Sequence, residues 1–197
     1  MCYNYETSRN TFIIGTLGTI MNIIKFKKNP FLVILNIMWY FGISMQFWEA
    51  LIWKNYKCNF SSKAAMINNL IQPLSVLLFL LIPNYKVKNM SLIISITLIY
   101  LTYVFRYFSI DYGCIKDSFG VNLAWWDSVG GRMHFFTFLI LFKLILPPYM
   151  FKSQSFLFIT SWIIGFILSN NNSKHIASLW CWVAAFIPYF NYFIFSK

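Results

Sequence analysis

The residues of this chain best equipped for chemistry are few, and they sit where chemistry is expensive. Gln46 and Glu49 fall near the end of one apolar run, and Asn68, Asn69 and Gln72 fall in the first half of the next. Arg106 interrupts a third late, His134 opens a fourth and His175 opens the last. An ionisable side chain at the centre of a bilayer costs about 2.5–3.5 kcal/mol on insertion scales, so residues of this kind are functional candidates by default. A spacing of three places Gln46 and Glu49 on one helix face. One carboxylate, two imidazoles and several amides at similar depth suit the binding or transfer of a small polar solute, and Gln46, Glu49, Asn68, Gln72, Arg106, His134 and His175 form the candidate ligand-binding cluster. The bland counterpart is interfacial anchoring. Glu49 is about one turn from Lys54 and reaches the headgroups there, Arg106 snorkels to the same layer, and Trp48, Trp53, Trp125 and Trp126 act as interface anchors. Glu49 itself favours the site, because it is the one Glu outside the N-terminal tail and Gln46 shares its face.

The elements that must position these groups are membrane helices. Of the 197 residues, 59% are hydrophobic and only 11% charged. A soluble domain carries about 25% charged residues, so this chain cannot cover a water-facing surface. Its apolar residues come in long uncharged runs rather than at amphipathic spacing. The runs predict an all-α, polytopic transmembrane bundle of about seven spans in a single domain, 1–197. The expected spans are 11–26, 30–53, 64–85, 89–109, 132–150, 153–170 and 174–195. The uncharged stretch of the first, Asn10 to Ile24, is short for a bilayer and contains Gly15 and Gly18, which suits a tilted or buried helix. Pro30 opens the second favourably. Pro73 stands inside the third and should kink it. The fifth ends at Pro147-Pro148, and the sixth is clean of polar interruption. The one long loop is 110–131, with Asp111, Lys116, Asp117 and Asp127. No basic leader segment precedes the first run, so that helix is expected to be retained.

Seven spans put the termini on opposite sides. Seven Lys and Arg then fall on each side, and the positive-inside rule does not decide. The acidic long loop, the grouping of Cys2, Cys58 and Cys114, and two of three glycosylation sequons favour an extracytosolic N-terminus and a cytosolic C-terminus. Cys58 and Cys114 either form a disulfide on that side or stay as free thiols. Cys181, between Trp180 and Trp182, is a packing residue.

Several function classes are set aside. The net charge of +11 comes from lysines that flank the apolar runs, such as Lys25, Lys27 and Lys28, where they meet headgroups; nucleic acid is not an expected partner. The last run has no Lys for a retinal Schiff base. The cysteines show no zinc spacing. Neither a phosphate-binding glycine loop nor a hydrolase elbow nor HExxH is present. Seven-span transporters of the PQ-loop kind carry Pro-Gln in two repeats, whereas this chain has Gln72-Pro73 once. Ceramidase-type lipid amidases hold zinc with three His, and here only His134 and His175 exist. A metal site of His134, His175 and either Glu49 or Asp127 is therefore the weaker alternative, and would make the protein a lipid-directed membrane metallohydrolase. The main expectation is a non-enzymatic bundle without cofactor or metal. Its partners are the bilayer and a small solute bound or moved by the polar cluster; otherwise it is a structural membrane component.

Three further stretches carry a resemblance. Met1-Cys2 with Ser8, the run Gln46-Phe47-Trp48-Glu49-Ala50-Leu51-Ile52-Trp53, and Ser178-Leu179-Trp180-Cys181-Trp182 resemble an uncharacterised family of small multi-span membrane proteins of large DNA viruses, with distant bacterial relatives that also begin Met-Cys. The likeness covers most of the chain in layout. Cys2, Ser8, Gln46, Glu49, Trp53 and Trp180 are the matching positions. The resemblance implies a membrane bundle and assigns no activity. If Met1 is removed, Cys2 becomes an N-terminal thiol; the plainer reading is a small residue near the interface.

Overall fold

Asn4 starts the first helix earlier than the apolar pattern alone suggests. Its Oδ1 accepts from the Thr7 amide at 2.8 Å, and Glu6 lies in the first turn, so α1 runs Tyr5–Lys25 rather than from residue 11. Asn29 caps the next helix by accepting from the Phe31 and Leu32 amides, and with Pro30 in the first turn α2 spans Pro30–Trp53, as expected. A short turn with left-handed Asn55 and Lys57 leads into α3, Cys58–Ile71. The computed structural model describes residues 4–106, 116–117, 120–121, 128–168 and 173–196, with backbone alone for 116–131 within that set and for 173–178. Cys2, Cys114, Trp125, Trp126, Asp127 and the side chains of His175 and Ser178 lie outside the described residues.

Pro73 acts differently from a simple kink. The rod continues from α3 as a 3-10 helix, Gln72–Leu81. Pro73 has no amide hydrogen, so Asn69 O takes the Gln72 amide instead. In the tighter pattern the Leu70 carbonyl would face the proline nitrogen and go unsatisfied. Tyr100 supplies the missing donor, its hydroxyl donating to Leu70 O at 2.9 Å. A bond from the neighbouring helix thus stabilises the break.

The remaining helices are α4 (Met90–Phe105), α5 (Ser128–Ile145), α6 (Pro148–Leu168), α7 (Ser173–Ala184) and α8 (Ile187–Phe195). The last two form one rod interrupted before Pro188. Among the described residues there are thus seven helical rods, matching the seven expected runs in order. The long loop adds a two-residue antiparallel hairpin, β1 (Lys116–Asp117) with β2 (Gly120–Val121), and β2 lies against α2 and α7. Boundaries shift at the third, fifth and sixth runs: the third rod begins six residues early at Cys58 and ends four early at Leu81, α5 begins four residues early, and α6 begins at Pro148, taking Lys152 into its first turns. Three stretches, Pro30–Trp53, Cys58–Leu81 and Pro148–Leu168, are long and apolar enough to cross a membrane. At 16 residues α4 is about 24 Å long, short of a hydrocarbon core of about 30 Å.

α2 is the hub, packed against α1, α3, the 3-10 segment, α7 and α8. Its core residues Leu35, Met38, Trp39, Ile43 and Met45 are all buried. α1 is polar inside and apolar outside: Ser8, Thr11, Thr19 and Asn22 are buried, while Leu17 is 54% and Ile24 66% exposed. The expectation of a buried first helix is corrected here, since its apolar stripe faces outward. The same inversion holds around the bundle, where Leu81, Phe156, Ile167 and Phe193 are all exposed.

Glycines let α1 approach closely. A Cβ on Gly15 would stand 2.7 Å from Ile43 Cγ2 and 3.2 Å from Ala185 O. Gly15→Leu is expected to push α1 off α2 and to cost about 1–3 kcal/mol or more through overpacking. A lowered thermal midpoint in micelles would show it, with outward-facing Leu17→Ala as the neutral control. Equal midpoints for wild type and Gly15→Leu would refute the close packing.

Candidate functional site

The candidate residues divide into clamps and a buried polar group. Asn68, half-buried on α3, uses both ends of its amide: Nδ2 donates to Phe41 O at 3.0 Å, and Oδ1 accepts from Ser44 Oγ at 3.0 Å. One turn on, Gln72 Nε2 donates to the same Phe41 carbonyl at 3.2 Å. These bonds fasten α3 to α2 next to Gly42. Asn68 is therefore a structural clamp, and Gln72 is partly one.

The other candidates form a buried polar group. Gln46, Glu49, Asn69, Gln72 and His134 are all wholly buried. Gln72 Nε2 also meets Cys181 Sγ at 3.7 Å, and the Glu49 carboxylate lies within electrostatic reach of that thiol. Trp180, beside Cys181, faces His134 edge-on with centroids 5.6 Å apart. α2, the 3-10 segment, α5 and α7 thus bring Glu49, Gln72, Cys181 and His134 into one neighbourhood. Asn69, next along α3 from the clamp, stands out. Neither its Oδ1 nor its Nδ2 has a hydrogen-bond partner among the described residues, and the same is true of Gln72 Oε1. A buried amide without partners costs about 1–3 kcal/mol per unsatisfied group, and such groups call for an explanation. Two amides spaced by three residues present donors and acceptors inside the bundle.

Aromatic rings wall this region. The His134 ring contacts Phe138, Trp162 and Trp180 at centroid distances of 5.3, 6.4 and 5.6 Å. Trp180 Nε1 donates to Ser161 Oγ at 2.8 Å, and Ser161 passes a hydrogen bond to Phe158 O at 2.7 Å. A Cβ on Gly165 would come within 3.1 Å of the Trp180 amide, so glycine there admits α7 against α6. The wall is mostly apolar, and low polarity around a polar group such as the His134 imidazole raises its weight.

Arg106 differs from these buried groups in exposure. It is exposed at the end of α4, its guanidinium carbon 4.1 Å from the Tyr103 ring centre. Lys54, the interfacial alternative for Glu49, is exposed and stacks over Tyr5 at 4.2 Å, whereas Glu49 is buried. The His175 side chain is outside the described residues. Among the described residues no three His, Cys, Asp or Glu side chains gather as a metal site requires. Cys58 is disulfide-bonded, its partner lying outside the described residues, and Cys181 is a buried free thiol.

A second polar layer escaped the sequence reading. Trp39 Nε1 donates to Gln154 Oε1 at 2.7 Å, and Gln154 Nε2 donates to Asn191 Oδ1 at 2.9 Å. Asn22 Nδ2 donates to Asn36 Oδ1 at 2.9 Å and to Pro188 O at 2.5 Å. The sixth run, read as clean, therefore contributes Gln154 to the interior. The signal was present as four lone amides inside apolar runs; weighting ionisable groups over amides passed it by. Comparison with protein-family models, with curated proteins and with solved structures returned no match.

Proposed function

We propose that the chain is a multi-pass integral membrane protein whose seven helical rods all lie across or within the bilayer, and whose buried chamber binds or moves a small polar solute. The observation that carries the reading is the Asn69 amide, wholly buried with both polar atoms unpartnered among the described residues, three residues from the Gln72 oxygen in the same condition. The inverted α1 supports the membrane half, because an outward stripe of Leu17, Met21 and Ile24 over a buried Thr11, Thr19 and Asn22 is stable against lipid and costly against water. On this reading the N-terminus is extracytosolic and the C-terminus cytosolic, and the likeness to small membrane proteins of large DNA viruses belongs to the same proposal.

Two measurements test it. Tags at residues 1 and 197 are expected to label from opposite sides of the membrane; labelling from one side would mean an even number of crossings and would overturn the seven-crossing reading. Purified protein in liposomes loaded with proton- or cation-sensitive dye is expected to dissipate an imposed gradient faster than protein-free liposomes. Rates equal to protein-free controls for protons, alkali cations and small neutral polar solutes, with no protection of the fold by any of them, would overturn the chamber's role.

A further inference from the structure

At the end of the bundle away from the chamber, the chain builds a hollow with positive charge on every side. Loop 85–89 and the α5–α6 corner enclose about 440 Å³, lined by Tyr85, Lys86, Lys88, Asn89, Lys143 and Pro148 among others. All three lysines are exposed, and none of the lining residues is acidic. The five acidic residues of the chain, at 6, 49, 111, 117 and 127, lie in other segments.

The helix ends sharpen this charge. Asn89 precedes α4, yet its side chain makes no capping hydrogen bond, so the first-turn amides of α4 lack a side-chain cap. Pro148 opens α6 on the same hollow. Two helix N-termini, each with the partial positive charge of its dipole, therefore meet three ammonium groups. The one negative helix end nearby is answered locally: Tyr85 OH donates to Ile145 O at the end of α5, and Lys143 stands in the last turn of that helix. Burial pushes the Tyr85 phenol up, with neighbouring Tyr149 adding to the rise, so Tyr85 stays a donor through the physiological range. Phe31 packs edge-on against Tyr85 at 4.9 Å and fixes the loop to α2.

We infer that this hollow is a binding site for the phosphate-bearing headgroup of an anionic phospholipid in the leaflet on the C-terminal side. The inference rests on the transmembrane reading of the helices. Lys143 lies on α5 beside Phe151, its Nζ 4.9 Å from that ring centre, at the boundary between apolar helix and polar loop. A phosphodiester at that boundary accepts from Lys86 and Lys88 on the loop and from Lys143 on the helix, while its acyl chains stay against the apolar outer surface. Lysines near a membrane surface attract anionic lipid with an affinity gain of about fivefold each.

The test uses the purified full chain in micelles, with native mass spectrometry after addition of phosphatidylglycerol or phosphatidylcholine of matched chains. Phosphatidylglycerol is expected to bind preferentially. Its occupancy should fall by about fivefold for each of Lys86→Gln, Lys88→Gln and Lys143→Gln, while Lys152→Gln, outside the hollow, keeps the preference. Single variants and thermal midpoints guard against misfolding. Inorganic phosphate in large excess is expected to leave the lipid bound; displacement would show a soluble-phosphate site and overturn the lipid assignment. Equal binding of the two lipids, or unchanged binding in all three variants, would also overturn it. Tag labelling that contradicts a membrane crossing would instead remove the reading on which the inference stands.

Discussion

Replacing Trp180 by Ala should lower the stability of the folded bundle by on the order of 3 kcal/mol. Trp180 is wholly buried where α7 meets α2, α5 and α6, with rings of Trp39, His134, Phe158 and Trp162 around it. In a soluble core the loss would include the transfer of a large apolar surface into water. On the proposed multi-pass reading much of that share disappears, because a helix released from the bundle keeps its side chain in lipid. What remains is the void, the lost dispersion contacts and the Ser161 hydroxyl left without its indole donor. The estimate therefore sits at the low end of about 3–5 kcal/mol seen for Trp→Ala in cores. Trp180→Phe retains most of the ring packing and loses the hydrogen bond, and should cost about 1 kcal/mol. Thermal unfolding in micelles separates the two: a large drop for Ala and a small one for Phe. A wild-type midpoint for Trp180→Ala would mean that the aromatic wall is not what holds α6 and α7 together.

What could be read in the sequence depended on whether the physics was local. Apolar run length is local, and it gave seven rods in the right order, with α2 at its expected bounds because Asn29 and Pro30 specify a helix start by themselves. The start of α1 was misplaced by reading hydropathy alone, although the Asn4 cap with Glu6 is a sequence-visible signal. The 3-10 segment was not legible. Pro73 announces a disturbed helix, but the choice of a tightened rod over a kink depends on Tyr100, a residue on another helix, being placed to satisfy Leu70 O. Gln46 and Glu49 were legible as one face by their spacing, and both are buried. The separation of Asn68 from Asn69 was not: adjacent residues on a helix point about 100° apart, and only packing against α2 decides which one clamps the Phe41 carbonyl. Arg106 was placed with the cluster by depth alone, and depth carries no information about azimuth on the helix.

The two polar layers have different chemical characters. The layer of Trp39, Gln154, Asn191, Asn22 and Asn36 is knit by hydrogen bonds of 2.5 to 2.9 Å that link α1, α2, α6 and α8, although Asn22 Oδ1 and Asn191 Nδ2 have no hydrogen-bond partner among the described residues. Interhelical bonds of that kind are worth about 0.6 kcal/mol on average inside membrane bundles, so their main effect is to fix register. The layer of Glu49, Asn69, Gln72 and His134 combines an acid and an imidazole with amide atoms left unpartnered among the described residues. Fastening belongs to the first layer, and the proposed function rests on the second.

Glu49 is where that assignment is tested most severely. A carboxyl wholly enclosed by α2 and its neighbours must be paired or protonated, because an isolated charge in low dielectric is too costly to keep. Glu49→Gln preserves the shape and a hydrogen-bonding headgroup, so it should fold with a stability change of about 1 kcal/mol or less. Glu49→Leu removes every polar interaction at that point and leaves the groups bonded to the carboxyl unsatisfied, which should cost about 1–3 kcal/mol more. Function should separate from stability in the Gln variant. In liposomes, Glu49→Gln is expected to lose the proton- or cation-dependent flux of the wild type while its thermal midpoint holds. Asn68→Ala, at a clamp rather than in the chamber, should do the reverse: a lowered midpoint with residual flux per folded molecule. If Glu49→Gln transports like the wild type, the carboxylate is only a structural group. If both variants lose stability and flux in proportion, the chamber is simply part of the bundle's core. A folded but silent Glu49→Gln is the result that a solute site at Glu49 requires.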